Sequence, residues 1–437
     1  MKQRYLKFTF LLLVSVPGLS YGQEESEKIQ LINTGVLTVR AETILSTQFD
    51  FVNTEKGDVV NDGDAIFYKN FINDGNYGLT PTKKTSSTYF VLNKDTQAKQ
   101  IKGSGLTSLY HVEFDSEWDG VAFELQNNMD IYGSAHFKKG IIKVDATKKG
   151  QGLSTGMMSF MPNAQHTNVS DQSFVDGEVE KIGRDYFEFP IGKDTYHRPA
   201  FIDAPDDSKA VILAQYHLDD TAFFEGHTNT AGVIKVVNNK EYWKLNGKTG
   251  NEHTVILSLS WDERTTPAEL LIDPEGELHI LRWDEKTQQW EDEGGVVDMS
   301  TKRVTTPASI KDFGYFTLGT VKKDWILDGD VVIYNFVTPD GDGKNDYFII
   351  DNIQKHPNNR VEIYNRWGVK VYETTGYDPH GDGSVNVFTG YSGGKITVDK
   401  SKKLPSGTYY YVVTYEYTDQ HGSRMIKKAA NLHLETN

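Results

Sequence analysis

The sequence predicts an all-β protein in three parts: N-terminal β-solenoid-like repeats, a central antiparallel β-sandwich and a small C-terminal β-sandwich. Three observations carry this. Short apolar runs are punctuated by Asn-Gly and Asp-Gly pairs, the chemistry of tight turns between strands. The 437 residues include 23 Tyr and 22 Phe, β-formers, with 39 Gly interrupting the runs. No run of helical length keeps apolar side chains at three-to-four spacing.

Residues 1–22 place Lys2, Arg4 and Lys7 before an apolar run from Phe8 to Val16, then small residues to Gly22. This pattern predicts a secretory signal peptide cleaved after Gly22. No later stretch is apolar for long enough to form a transmembrane helix. The chain has no cysteine, which excludes disulfides, thiolate metal sites, a cysteine nucleophile and lipoprotein acylation. Beyond residue 22 there are 43 Lys+Arg against 61 Asp+Glu, a formal charge of −18. So acidic a surface excludes nucleic acid, which needs a basic face, and disfavours anionic lipid.

Residues 23–170 form the repeat region. Val60-Asn61-Asp62-Gly63-Asp64 recurs twelve residues later as Ile72-Asn73-Asp74-Gly75-Asn76, with weaker echoes at Ile32-Asn33-Thr34-Gly35 and Val52-Asn53-Thr54. Recurrence at short spacing favours a solenoid over an irregular sandwich of hairpins, with Asn61 and Asn73 stacked on one edge. Further short runs stand at 121–125, 129–132 and 141–144. In residues 171–322, a junction holds Phe187-Glu188-Phe189-Pro190-Ile191-Gly192 and Tyr196-His197-Arg198-Pro199, a segment similar to one common in repetitive bacterial surface proteins. Alternating runs follow at 211–216, 241–245, 254–261, 278–283 and 313–318. In 254–261, Val255, Leu257, Leu259 and Trp261 share one face, the mark of a half-buried strand. Such runs between turns predict an antiparallel sandwich.

The last part, 323–437, opens on an acidic glycine-rich loop between two apolar runs, which predicts two strands joined by a tight loop. Asp340, Asp342, Asn345 and Asp346 fall within seven residues, and Gly341 and Gly343 let the backbone curl. Four oxygen-bearing side chains so close are either a solvated acidic turn or the ligands of a hard cation; Ca2+ is the candidate cofactor. The bidentate Glu of an EF-hand is missing. Farther on, Tyr409, Tyr411, Val413, Tyr415 and Tyr417 lie on one side of a strand. They are either a core stripe or a tyrosine-rich docking face.

Val337-Thr338-Pro339-Asp340-Gly341-Asp342-Gly343, Val361-Glu362-Ile363-Tyr364-Asn365-Arg366-Trp367-Gly368 and Leu404-Pro405-Ser406-Gly407-Thr408-Tyr409 together resemble the gliding-motility-associated C-terminal domain of Bacteroidetes surface proteins. Phe388-Thr389-Gly390 stands where that family often has Trp-Asp-Gly. The resemblance implies a small β-sandwich that serves as the type B signal of the type IX secretion system, with export across the outer membrane to the cell surface. By analogy it also implies two partners, the translocon and a PorP/SprF-like outer-membrane protein. Pro339, Trp367 and the tyrosines 409, 411, 415 and 417 are the candidate contacts.

Signals for an enzyme are weak. Gly152-Leu153-Ser154-Thr155-Gly156 fits G-x-S-x-G but has no helix after it. The twelve histidines show no metal-ligand spacing. Glu113, Asp115, Glu117 and Asp119 alternate as a solvated strand face would. The expectation is a non-enzymatic surface protein acting in adhesion or gliding motility with a glycan or protein ligand. The alternatives are an adaptor of the secretion apparatus and, behind it, a polysaccharide hydrolase.

Overall fold

The computed structural model describes residues 29–93, 97–144, 156–203, 205, 207–247, 254–322, 331–392, 403–419 and 422–436. It is built almost wholly of strands, with a solenoid of about six turns at the N-terminal side.

Each of the first three turns contributes three short strands. Gln30–Asn33, Val36–Val39 and Ile44–Thr47 form the first, and Asp50–Asn53, Asp58–Asn61 and Asp64–Phe67 the second. Matching strands pair in parallel, Asn33 with Asn53 and Asn53 with Asn73. In Thr107–Ser116 and Asn128–Phe137 two of the faces run on as one long strand, and they separate again as Met157–Phe160 and Gln165–Thr167. The ladders continue to Ile182, past the compositional boundary at residue 170.

Along the edge that holds Asn73 the first turns are spaced twenty residues apart, and this corrects the expected stacking of Asn61 on Asn73. The twelve-residue recurrence joins two different corners of successive turns. Asn33, Asn53 and Asn73 are the true column: Asn33 Nδ2 donates to Asn53 Oδ1 and Asn53 Nδ2 to Asn73 Oδ1, each at 2.8 Å. Asn61 lies on another edge, opposite Val39, and donates to Ser87 O and Thr88 Oγ1. In the turn above, Gly103 follows Lys102, the partner of Ile72, and takes the asparagine position. Its φ is +125°, and a Cβ there would stand 2.1 Å from Asn73 O.

Inside the coil, parallel register stacks like on like. Phe67, Phe90, Phe114 and Phe137 form a column with ring centroids 5.6–5.9 Å apart. All four are buried. Offset aromatic contacts of this kind add to the area each ring removes from water.

The solenoid does not end in a cap. Its last strand, Val179–Ile182, pairs in parallel with Met157–Phe160 on one side and antiparallel with Val211–Leu218 on the other. The sheet continues through Glu241–Gly247, Gly314–Val321 and Leu278–Asp284, all antiparallel. A second sheet of five strands, including Ala200–Ile202 and Leu257–Ser260, covers it to form the sandwich. One apolar core runs unbroken from Phe51 to Leu318. Val255, Leu257, Leu259 and Trp261 point into it as their alternation predicts; Ser260, on the opposite face, is also buried because it holds Arg198.

The C-terminal domain has its own core. Its five-stranded sheet runs Phe336–Val337, Gly422–Leu434, Gly407–Asp419, Asn359–Tyr364, Lys370–Thr375. A two-stranded ribbon, Val332–Ile333 against Ile350–Asp351, accompanies it.

Asn53→Ala leaves the amides of Asn33 and Asn73 without their buried partner. It is expected to destabilise the chain by about 2–3 kcal/mol in denaturant unfolding; Phe114→Ala, which opens a cavity, should cost about 3–5 kcal/mol.

Two histidines sit uncharged in the interior. Burial, reinforced by neighbouring His166, pushes His197 down to about 3, and burial takes His217, stacked on Tyr242, to about 4. Unfolded, both titrate near about 6.5. Their folded values are lower, so they cost nothing above that pH, and stability falls as pH drops from about 6.5 toward 4. Calorimetry should show a lower Tm at pH 5 than at pH 7, and a shallower fall in His197→Gln.

Candidate functional site

The acidic loop is shaped by its own backbone. Gly341 and Gly343 have φ of +84° and Asn345 of +53°. With those turns in place, N–H groups aim at the carboxylates. Gly341 N–H donates to Asp346 Oδ1 at 2.6 Å and Gly343 N–H to Asp346 Oδ2 at 2.8 Å. Asp342 N–H donates to Asp340, and Lys344 N–H to Asp342. Thr338 closes the loop, its N–H donating to Asn345 O. Asp340, Asp342 and Asp346 thereby hold carboxylate oxygens within 4.8 Å of one another. A carboxylate offers about four lone-pair sites, and these N–H bonds leave some of them open, so the donor set fits a hard cation such as Ca2+.

The two runs flanking the loop do pair antiparallel, but only through Val332–Ile333 and Ile350–Asp351. Between them the chain changes sheet: Phe336–Val337 adds in parallel to His433 and Leu434 at the end of the last strand. The loop thus hangs from the edge of the main sheet, not from a simple hairpin.

Tyr409, Tyr411, Tyr415 and Tyr417 are 0–7% exposed and line the domain's core with Val413. This corrects the docking-face expectation, because rings that hold the sheet to its ribbon and loops are not presented to a partner. Burial raises the Tyr411 phenol to about 12. Pro339 is half-buried beside Gly390, and its carbonyl accepts from Lys403. Trp367 is 64% exposed, with the Arg366 guanidinium 4.3 Å over its ring. Asn365 Oδ1 holds that turn by accepting from the N–H groups of Trp367 and Val369. Trp367 lines a groove of about 1260 Å³ against the central sandwich, and no residue of the 338–346 loop does. The two sets of candidate contacts are therefore separate.

Three features lie beyond the sequence reading. Tyr377 is buried, and its hydroxyl donates to Phe348 O while accepting from Phe388 N–H, which ties the loop's exit to the Phe388-Thr389-Gly390 segment. Phe388 itself is fully buried against Tyr372. At the groove, Glu293 lies between Arg282 (2.8 Å) and Lys427 (2.6 Å). Burial alone would raise this carboxyl, but Lys427 and Arg282 outweigh it and hold it below the usual range. In the solenoid, three of the alternating carboxylates meet basic side chains of the next turn: Glu113 meets His136, Asp115 meets Lys138 and Asp119 meets Lys139. Of the G-x-S-x-G segment, only Gly156 is among the described residues.

The sheet order, the loop on its edge and the buried tyrosine stripe define a C-terminal module distinct from the rest of the chain. Residues 331–428 match the family of the CHU_C type IX secretion signal domain. The C-terminal domain is such a signal, the kind carried by cargo of the Bacteroidetes type IX system, and it implies export across the outer membrane to the cell surface. No curated protein and no solved structure matches the chain. No helix among the described residues is long and apolar enough to cross a membrane.

If the acidic loop holds calcium, added Ca2+ should raise the Tm of the full chain, and Asp340→Ala or Asp342→Ala should abolish the rise. A wild-type chain indifferent to Ca2+ would refute the site.

Proposed function

We propose that this protein is a non-catalytic β-rod displayed on the cell surface, whose solenoid binds an exterior glycan or protein and so serves adhesion or gliding. The observation that carries it is a pair of tyrosines on adjacent turns. Ile131 is buried, so Tyr132 after it points outward by strand alternation and is 41% exposed. Leu109 pairs with Ile131 and His111 with Ser134, so the second strand holds an extra residue just beyond it. Tyr110, on the facing turn, lays its ring over Gly133. Two tyrosines on neighbouring turns of a rigid sheet give an amphipathic surface of the kind that binding sites use. Farther along the strand of Tyr110, Glu113 and Asp115 are paired with His136 and Lys138, which supports binding over hydrolysis.

The adaptor reading keeps one support, an apolar contact between the central and C-terminal domains around Ala308, Tyr364 and Val412. That contact is already covered within the chain, so it favours the adaptor less than an exposed face would.

For export, the translocon and a PorP/SprF-like outer-membrane protein are the partners of the C-terminal domain. A chain ending at Lys322 should accumulate in the periplasm; its appearance on the surface would contradict the signal's role. Tyr110→Ala/Tyr132→Ala should keep surface display and lose most of the cell's binding to its target surface. Undiminished binding would move the adhesive site elsewhere or favour the adaptor.

A further inference from the structure

The sheet of the secretion signal domain has two faces, and both bury apolar side chains. One faces its own core through Tyr409, Tyr411, Val413, Tyr415 and Tyr417. The other carries Tyr364 and Val412, 5% and 2% exposed, with Tyr410 and Ala429 beside them, and Ala308 of the central sandwich packs onto it. Two backbone approaches fit the surfaces closely. A Cβ on Gly294 would come 3.2 Å from the Ala429 Cβ, and one on Gly368 would come 2.7 Å from Ile256 Cγ1. At the margin, the Glu293 carboxylate, 8% exposed, takes Arg282 on one oxygen and Lys427 on the other.

We infer that the central sandwich is the built-in docking partner of the secretion signal domain, with Glu293 and Lys427 setting the register of the contact. An isolated signal domain would expose the apolar face of Tyr364 and Val412 to water. Two matched oxygens on one buried carboxylate require both cations in place, so the contact is specific and not a generic apolar patch. The consequence concerns recognition. An exterior partner meets the signal at what the sandwich leaves open, which includes the exposed loop 340–344, and meets it as part of one body with its cargo. A passenger that has not folded presents the machinery with a different surface.

The test uses the full chain and hydrogen exchange. Lys427→Glu and Glu293→Lys are each expected to speed exchange about tenfold in 410–414 and 427–431, the scale for a partly exposed pair. Exchange in 107–116, inside the solenoid, stays unchanged and reports that the rest is folded. Lys427→Arg, which keeps the charge and leaves Arg282 its carboxylate, should retain most of the protection. Unchanged exchange in both single reversals, or Lys427→Arg as fast as Lys427→Glu, overturns the docking. The recognition consequence rests on the export reading and is read separately: Lys427→Glu should lower surface display several-fold, with Lys427→Arg displayed normally. Normal display alongside faster exchange would sink that consequence while leaving the docking in place.

Discussion

A buried guanidinium at the junction of solenoid and sandwich organises most of this chain. Arg198, 1% exposed, pairs with Glu241, 0% exposed, through Nε and Nη2 at 3.0–3.1 Å. Taking two charges out of water is costly unless every remaining donor and acceptor is met. Here they are met from several elements. Tyr216 donates to Glu241 at 2.6 Å, Thr266 donates to it from a loop, and Ser260 O accepts from Arg198. Trp243 Nε1 donates to the carbonyl of Arg198 itself. Strands of both sandwich sheets and the segment leaving the solenoid must therefore assemble together, which is why the apolar core runs through the junction without a seam.

The solenoid follows a simpler rule. Parallel pairing places the same position of successive turns in contact, so an asparagine column satisfies one buried edge and a phenylalanine column fills the middle. Each turn lends its neighbour both surfaces, and no turn is stable alone. The same rule explains the paired charges outside: a carboxylate on one turn faces a Lys or His on the next. Alternation along the strand, inward at Ile131 and outward at Tyr132, decides which ring faces solvent.

The C-terminal domain shows why burial, not composition, decides which residues meet a partner. Its tyrosine stripe has the make-up of an interface, yet a sheet this small needs those rings for its own core. Its other face is apolar around Tyr364 and Val412, and the central sandwich covers that part. Trp367 stays exposed, and so does a loop whose shape comes from two glycines and an asparagine in left-handed conformations, with carboxylates capping its own N–H groups.

The strand-rich class, the solenoid and the secretion domain could be read from the sequence alone, because turn chemistry, two-residue alternation and short motifs are local and survive without a structure. The acidic loop and the strand of Tyr409–Tyr417 were legible for the same reason. The repeat period was misread: the Asn-Asp-Gly text marks every corner alike, and only the ladder distinguishes a corner twelve residues on from the same corner twenty residues on. Arg198 with Glu241, Glu293 with Lys427, and the burial of the tyrosines were decided by the tertiary structure alone. Partners 43 and 134 residues apart leave no periodic trace, and whether a ring faces a core or a partner depends on what packs against it.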